Sequence, residues 1–182
     1  MIRWFTHNPV AANLLMLAIL LGGLITLFSN RIPLEVFPEF EFDQVNIVNK
    51  YINAVKDTGG GLLDVDPGKG KTVMALDIIA KLKKKTLVIV HKSFLLNQWI
   101  ERIQQFLPTA RVGKIQGQII DIEDKDIVIG MLQSLSQKDY PDDLFDSFGL
   151  SIYDETHHLG AEVFSRCMMK TITNYTLGLS GT

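Results

Sequence analysis

Two short runs of the sequence carry residues that could bind and hydrolyse a triphosphate. Gly68-Lys69-Gly70-Lys71-Thr72 combines glycines, lysines and a hydroxyl group. Glycines let backbone N–H groups approach phosphate oxygens, a lysine reaches the β- and γ-phosphates, and a threonine hydroxyl is a ligand for Mg²⁺. Asp154-Glu155-Thr156-His157 supplies two adjacent carboxylates. One carboxylate could hold the water ligands of the metal while the other orients the attacking water.

The first run departs from the strict phosphate-loop pattern at one position. That pattern has a glycine five residues before Gly70, where this chain has Val65. The alternative is an ordinary lysine-bearing turn that opens a helix. The flanks favour a phosphate loop, because residues 61–65 have the pattern of a buried strand and residues 73–79 that of a helix.

Further apolar runs bounded by polar residues or glycine predict buried strands. They cover residues 86–90, 126–130, 150–154 and 175–179. A helical pattern lies between the first two, with Ser93 as its expected N-cap. Strands that alternate with helices predict an α/β fold, with a parallel sheet covered by helices on both faces.

The candidate site residues follow the predicted strand ends. In parallel sheets of this kind, ligands bind beyond the carboxyl ends of the strands. The segments expected at that edge are Gly68–Thr72, His91–Ser93, Asp154–Glu155 and Ser180–Thr182.

Composition sets outer limits on the class of protein. The chain has 182 residues, 47% of them hydrophobic, which is enough for one domain with an appendage. Its single cysteine, Cys167, excludes an internal disulfide. The formal net charge of −2 gives no bulk electrostatic support for nucleic-acid binding, although phosphates can still bind locally.

The N-terminal part is a different kind of sequence. Residues 9–28 are apolar except for Asn13 and Thr26. At about 1.5 Å rise per residue, such a run spans roughly the 30 Å hydrocarbon layer, so a transmembrane helix is predicted. A cleaved signal peptide and a buried core helix are the alternatives. The chain is expected at a membrane if this helix inserts, and in the cytoplasm otherwise.

The same part resembles a membrane transporter. Residues 1–13, the apolar run and Glu35-Val36-Phe37-Pro38-Glu39-Phe40 are similar to the first membrane helix of resistance-nodulation-division efflux transporters. The resemblance ends near Asp43, which predicts a membrane-helix segment at 1–43 and a second domain at 44–182. It leaves two other functional interpretations open: a fragment of an efflux transporter, or a chimeric reading frame without integrated function.

Residues 44–182 resemble the first motor domain of superfamily 2 helicases of the DExH type, close to those of large DNA viruses. The resemblance is carried by the Gly68–Thr72 run, by Asp154–His157 and by Ser180-Gly181-Thr182. It implies a RecA-like domain of a nucleic-acid-dependent ATPase, with ATP and Mg²⁺ as cofactors. A phosphate-loop ATPase with a task unrelated to nucleic acid remains an alternative.

The resemblance also implies roles for single residues. Lys71 would bind phosphate, Thr72 and Asp154 would hold Mg²⁺, and Glu155 would act on the catalytic water. Gln44, 24 residues before Gly68, would recognise adenine. The nucleotide would also be contacted by Gly68, Lys69 and Gly70. Coupling of hydrolysis to movement of the nucleic acid would depend on His157, Ser180 and Thr182. The backbone of DNA or RNA would be contacted by His91, Lys92, Ser93, Gln133 and Ser134.

Two residues of the loop depart from the family pattern. Asp66 adds negative charge beside a tetra-anionic ligand, and Pro67 has no N–H to donate. Both changes are expected to weaken nucleotide binding. Hydrolysis is expected to be slow, because the arginines of a second motor domain are not in this sequence and would have to come from a second lobe in trans.

Overall fold

The computed structural model describes residues 42–141, 143–155 and 161–181. They belong to a compact unit that spans Phe40–Thr182. The predicted membrane helix at 9–28 and the transporter-like segment at 1–43 lie outside these ranges, apart from the last two residues of that segment. Among the described helices, none combines the length and the apolar character needed to cross a membrane.

The described residues form helices and strands that alternate along the chain, except for three consecutive strands within residues 112–131. The helices are α1 Phe42–Thr58, α2 Lys71–Leu82, α3 Ser93–Phe106, α4 Leu132–Gln137 and α5 Ala161–Lys170. The strands are β1 Gly60–Asp64, β2 Thr86–Val90, β3 Val112–Gln116, β4 Ile119–Ile120, β5 Ile127–Met131, β6 Leu150–Asp154 and β7 Tyr175–Ser180.

All seven strands join one sheet, in the order β1-β7-β6-β2-β5-β3-β4. Every neighbouring pair is parallel except β3 and β4, which form a short antiparallel hairpin. The three central strands β6, β2 and β5 are buried throughout, as expected for strands covered on both faces.

Two apolar clusters cover the two faces of the sheet. Helices α1, α2 and α3 pack on one face, where α1 contributes Val48 and Val55 and α3 contributes Leu96 and Trp99. Alternate residues of β2 point to the opposite face, into a cluster that contains Leu87 and Ile89 together with α4, α5 and the segment before β6. The predicted α/β architecture is therefore confirmed.

Some local predictions differ from the structure. Strands 86–90 and 150–154 match residue for residue. Ser93 is not the N-cap of α3, because the Lys92 carbonyl accepts the first helical hydrogen bonds, and Ser93 is already the first helical residue. Helix α1 and the β3–β4 hairpin were not predicted.

Candidate functional site

The carboxyl ends of the strands meet at one edge of the sheet. In the parallel register Asp64 of β1 lies opposite Ser180 of β7, and Asp154 of β6 lies opposite Leu179. The loop after β1 therefore faces the residues that follow β6 and β7. This edge brings together residues that are far apart in the sequence.

The Gly68–Thr72 run forms a loop that ends at a helix N-terminus. Gly68 and Gly70 have φ angles of 84° and 80°, which favour glycine. The loop is held to β7 by a 3.1 Å hydrogen bond from the Val65 N–H to the Ser180 carbonyl. Its N-cap residue is Gly70, which has no side chain to occupy the first N–H groups of α2. These groups and the helix dipole suit an anion.

Lys71 lies against the acidic end of β6. Its Nζ is 3.3 Å from Oε1 of Glu155, and the two side chains are 13% and 26% exposed. Glu155 has a φ angle of 57°, a left-handed conformation that is uncommon outside glycine. The structure thus places the lysine and the second carboxylate of the two motifs in one ion pair.

Asp154 is held by a residue of α3, on the face of the sheet that α1, α2 and α3 cover. Its Oδ2 accepts a 2.8 Å hydrogen bond from the indole Nε1–H of Trp99. Burial raises the pKa of Asp154, and the nearby charge of Glu155 acts in the same direction. The Trp99 hydrogen bond and the charges of Lys71 and His91 oppose that rise.

Gln44, in the first turn of α1, lies beside the loop. Its Nε2 donates a 3.0 Å hydrogen bond to the Lys69 carbonyl, and a Cβ atom added at Gly70 would come within 2.9 Å of that nitrogen. A cavity of about 300 Å³ next to these residues is lined by α1, the end of β1 and the loop, including Asp66. The predicted adenine-binding glutamine is therefore placed where it contacts the loop.

The residues assigned to nucleic acid occupy two positions on the edge: His91, Lys92 and Ser93 follow β2, and Gln133 and Ser134 lie in α4. His91 is partly buried. Lys92 and Ser93 are exposed after β2, and the Lys92 Nζ lies 5.9 Å from the Phe94 ring centre. Gln133 is exposed in α4. The Ser134 hydroxyl accepts a 3.0 Å hydrogen bond from the Gly117 N–H, so it also holds the β3–β4 turn.

The coupling residues are described in part. Ser180 is buried at the end of β7, and its carbonyl accepts the hydrogen bond from the Val65 N–H. His157 and Thr182 lie outside the described residues. Gly181, which sequence reasoning did not assign, packs against the side chain of Lys71.

The donor set fits a magnesium ion held together with phosphates. Mg²⁺ takes oxygen ligands, keeps several waters and binds through one or two carboxylates plus phosphate oxygens. Asp154 offers a buried carboxylate and Thr72 a hydroxyl at the start of α2. The described residues contain no group of three or more metal-ligating His, Cys, Asp or Glu side chains.

Trp99 lies in the helix that was predicted after Ser93, and no role at the site was predicted for it. Its hydrogen bond to Asp154 spans 55 positions. The available signal was chemical, since a buried tryptophan N–H usually finds an acceptor. Which acceptor it finds depends on the packing of α3 on the sheet.

Known proteins resemble this chain over the same residues. Residues 38–182 match the family model described as "Type III restriction enzyme, res subunit". A candidate ATP-dependent RNA helicase of Acanthamoeba polyphaga mimivirus, L396, is 40% identical over 137 residues, which are 75% of this chain and 26% of the relative. A candidate ATP-dependent RNA helicase of African swine fever virus is 32% identical over 151 residues, 80% of this chain and 29% of the relative.

The fold also matches solved structures. The Sulfolobus solfataricus SWI2/SNF2 ATPase core, solved in complex with double-stranded DNA, superposes with a TM-score of 0.67 at 18% identity, over 80% of this chain and 32% of that one. The chain spans less than a third of the length of each of these relatives. The chain belongs to this family, ResIII, and its residues 38–182 are a first motor domain of the superfamily 2 helicase type.

Proposed function

We propose that this domain binds Mg²⁺·ATP at the carboxyl edge of its sheet and hydrolyses it in dependence on nucleic acid. The observation that carries the proposal is the ion pair between Lys71 and Glu155, 3.3 Å apart. This ion pair links the N-terminus of α2, where phosphate could bind, to Asp154 and Glu155, whose carboxylates could hold a metal ion and orient a water. ATP would supply the phosphoryl group, and Mg²⁺ would neutralise its developing charge.

Each residue of the edge has a proposed task. The loop N–H groups and Lys71 bind the phosphates, while Thr72 and Asp154 hold Mg²⁺. Glu155 orients the attacking water and accepts its proton. Gln44 contacts the adenine, for which the neighbouring cavity of about 300 Å³ has room.

Nucleic acid is proposed to bind along the same edge, away from the phosphate loop. Exposed Lys92, Ser93 and Gln133 would contact the sugar-phosphate backbone, so binding would be independent of sequence and sensitive to salt. A second motor lobe would add the positive charge that speeds hydrolysis. His157, Ser180 and Thr182 would couple hydrolysis to movement of the nucleic acid.

The test is thermal unfolding of the full chain with Mg²⁺ and the non-hydrolysable analogue β,γ-imido-ATP. A ligand present at a hundred times its Kd contributes about 2.7 kcal/mol, so we expect Tm to rise by several degrees. Lys71→Ala should lose this rise. Lys84→Ala, an exposed lysine before β2 at the opposite edge, should keep it.

The role of nucleic acid is tested separately. Single-stranded DNA and RNA are added while ATP turnover and analogue binding are measured. An oligonucleotide that changes either quantity supports the proposal. If the chain binds the analogue but no oligonucleotide alters binding or turnover, the domain is an ATPase with a task unrelated to nucleic acid.

A further inference from the structure

Trp99 and Asp154 form a buried hydrogen bond between α3 and the end of β6. The indole Nε1–H donates to Oδ2 at 2.8 Å. Trp99 is 1% exposed and Asp154 is 8% exposed, so little water can replace this bond. This donor on Oδ2 restrains the rotation of the carboxylate about its Cβ–Cγ bond.

The hydrogen bond does more than fill space. Trp99 also packs in the core beside Leu96 and Ile103 of the same helix. Core packing alone needs an apolar ring, which phenylalanine would supply. The Nε1–H adds a neutral donor, which holds the carboxylate without cancelling its negative charge as a lysine or arginine would.

We propose that Trp99 is a positioning residue for the metal ion, because it holds the Asp154 carboxylate in the orientation that binds Mg²⁺ through its water ligands. The proposal rests on the proposed function of the site. Groups that hold a metal-binding side chain commonly change metal affinity by about 10- to 100-fold. Trp99 would therefore affect the metal requirement of nucleotide binding more than nucleotide binding itself.

Tryptophan fluorescence tests the contact directly. The chain has two tryptophans, Trp4 and Trp99, so a Trp4→Phe variant reports Trp99 alone. The probe is Mn²⁺, a paramagnetic ion that replaces Mg²⁺ at oxygen sites, titrated with and without β,γ-imido-ATP. We expect saturable quenching of Trp99 that Asp154→Asn abolishes. Absence of saturable quenching under both conditions would overturn the proposal.

A substitution tests the consequence. Trp99→Phe keeps an aromatic ring and removes the donor. The Mg²⁺ concentration needed for half-maximal binding of a fluorescent ATP analogue should rise about tenfold, while binding in EDTA stays unchanged. Ile103→Val, in the same helix and core cluster, is the matched control and should change neither quantity.

Several outcomes separate this proposal from the function it rests on. Equal losses of binding with Mg²⁺ and in EDTA would show that Trp99 acts through packing alone. If the chain binds nucleotide but Mn²⁺ does not quench Trp99, the proposed nucleotide site is supported and the positioning role of Trp99 is rejected. Quenching by Mn²⁺ in a chain that binds no nucleotide would support the positioning role and reject the proposed function. The quenching experiment keeps Trp99 in the chain, so it tests the proposal even if the Trp99→Phe variant fails to fold.

Discussion

The ammonium group of Lys71 lies directly over the backbone of Gly181. A Cβ atom added at Gly181 would collide with the Lys71 Nζ and would lie 3.3 Å from its Cε. The phosphate loop and the segment after β7 are therefore in contact through a position that accepts only glycine while Lys71 keeps this place. The loop and the Ser-Gly-Thr run are physically linked at this point.

Gly181→Ala is expected to displace Lys71. Nucleotide binding should then weaken by about tenfold, because roughly one charge-assisted hydrogen bond from Lys71 to the phosphates is lost. The clash involves the far end of a flexible side chain, so stability should fall by no more than about 1 kcal/mol. Isothermal titration with β,γ-imido-ATP measures the first quantity and urea unfolding the second. In a Lys71→Ala background, Gly181→Ala should have no further effect on binding. An additional loss there would contradict the contact.

Glu155→Gln is expected to bind nucleotide more tightly and hydrolyse it more slowly. Removal of the carboxylate charge releases Lys71 from its ion pair and takes one negative charge away from the phosphates. Because the pair is partly exposed, we expect the free energy of nucleotide binding to improve by roughly 1 kcal/mol, which lowers Kd about fivefold. Turnover should fall by about a hundredfold or more, because the general base is lost.

The gain in affinity for Glu155→Gln should require the lysine. The Lys71→Ala Glu155→Gln double variant is the control and should bind no better than Lys71→Ala. Equal affinity of Glu155→Gln and the unmodified chain would show that the ion pair does not compete with nucleotide.

Asp66→Ala is expected to tighten nucleotide binding by about two- to fivefold, the effect of one exposed charge near the phosphates. Asp66 is exposed in the loop and lines the cavity beside Gln44. The gain should shrink as salt rises from about 0.05 M to 0.5 M, because salt screens exposed charges. Asp146→Ala, an exposed aspartate on the segment before β6, should leave Kd unchanged.

Lys92→Ala is expected to weaken binding to single-stranded oligonucleotides whatever their sequence. If Lys92 neutralises one phosphate, the slope of log K against log salt concentration should fall by about 1. Fluorescence anisotropy over a series of salt concentrations measures the slope. Lys84→Ala is the control, since Lys84 and Lys92 flank the two ends of β2. Equal slopes for the two variants would remove Lys92 from the interface.

Asp126→Asn is expected to lower stability at neutral pH more than at acidic pH. Hydrogen bonds from Arg111 lower the pKa of Asp126 from 3.8 to about 2. Because the folded pKa is depressed, the stabilisation is present above about pH 4 and is lost as the pH falls towards 2. Both side chains are largely exposed, so the effect is small and decreases with salt.

Urea unfolding at pH 7, 5, 4 and 3 measures the difference between the two chains. The difference should be constant from pH 7 to 5 and shrink below 4. Asp146→Asn provides the control for removing an exposed carboxylate. A difference that stays constant down to pH 3 would contradict the assignment.

Apolar runs identified the central strands because burial on both faces demands continuous hydrophobic sequence. Thr86–Val90 and Leu150–Asp154 are such runs, and they match the structure in full. Helix α1 was missed although Val48, Tyr51 and Val55 recur at helical spacing. The β3–β4 hairpin was missed because β4 has two residues and both are exposed.

The sequence alone determined the residue types at the site and the alternation of strands and helices, since both depend on local pattern. Tertiary structure decided which strands are neighbours: β1 pairs with β7, and that pairing places Val65 and Gly181 around Lys71. It also decided that Trp99 donates to Asp154. Such contacts depend on the order and register of strands distant in sequence, which no local propensity specifies.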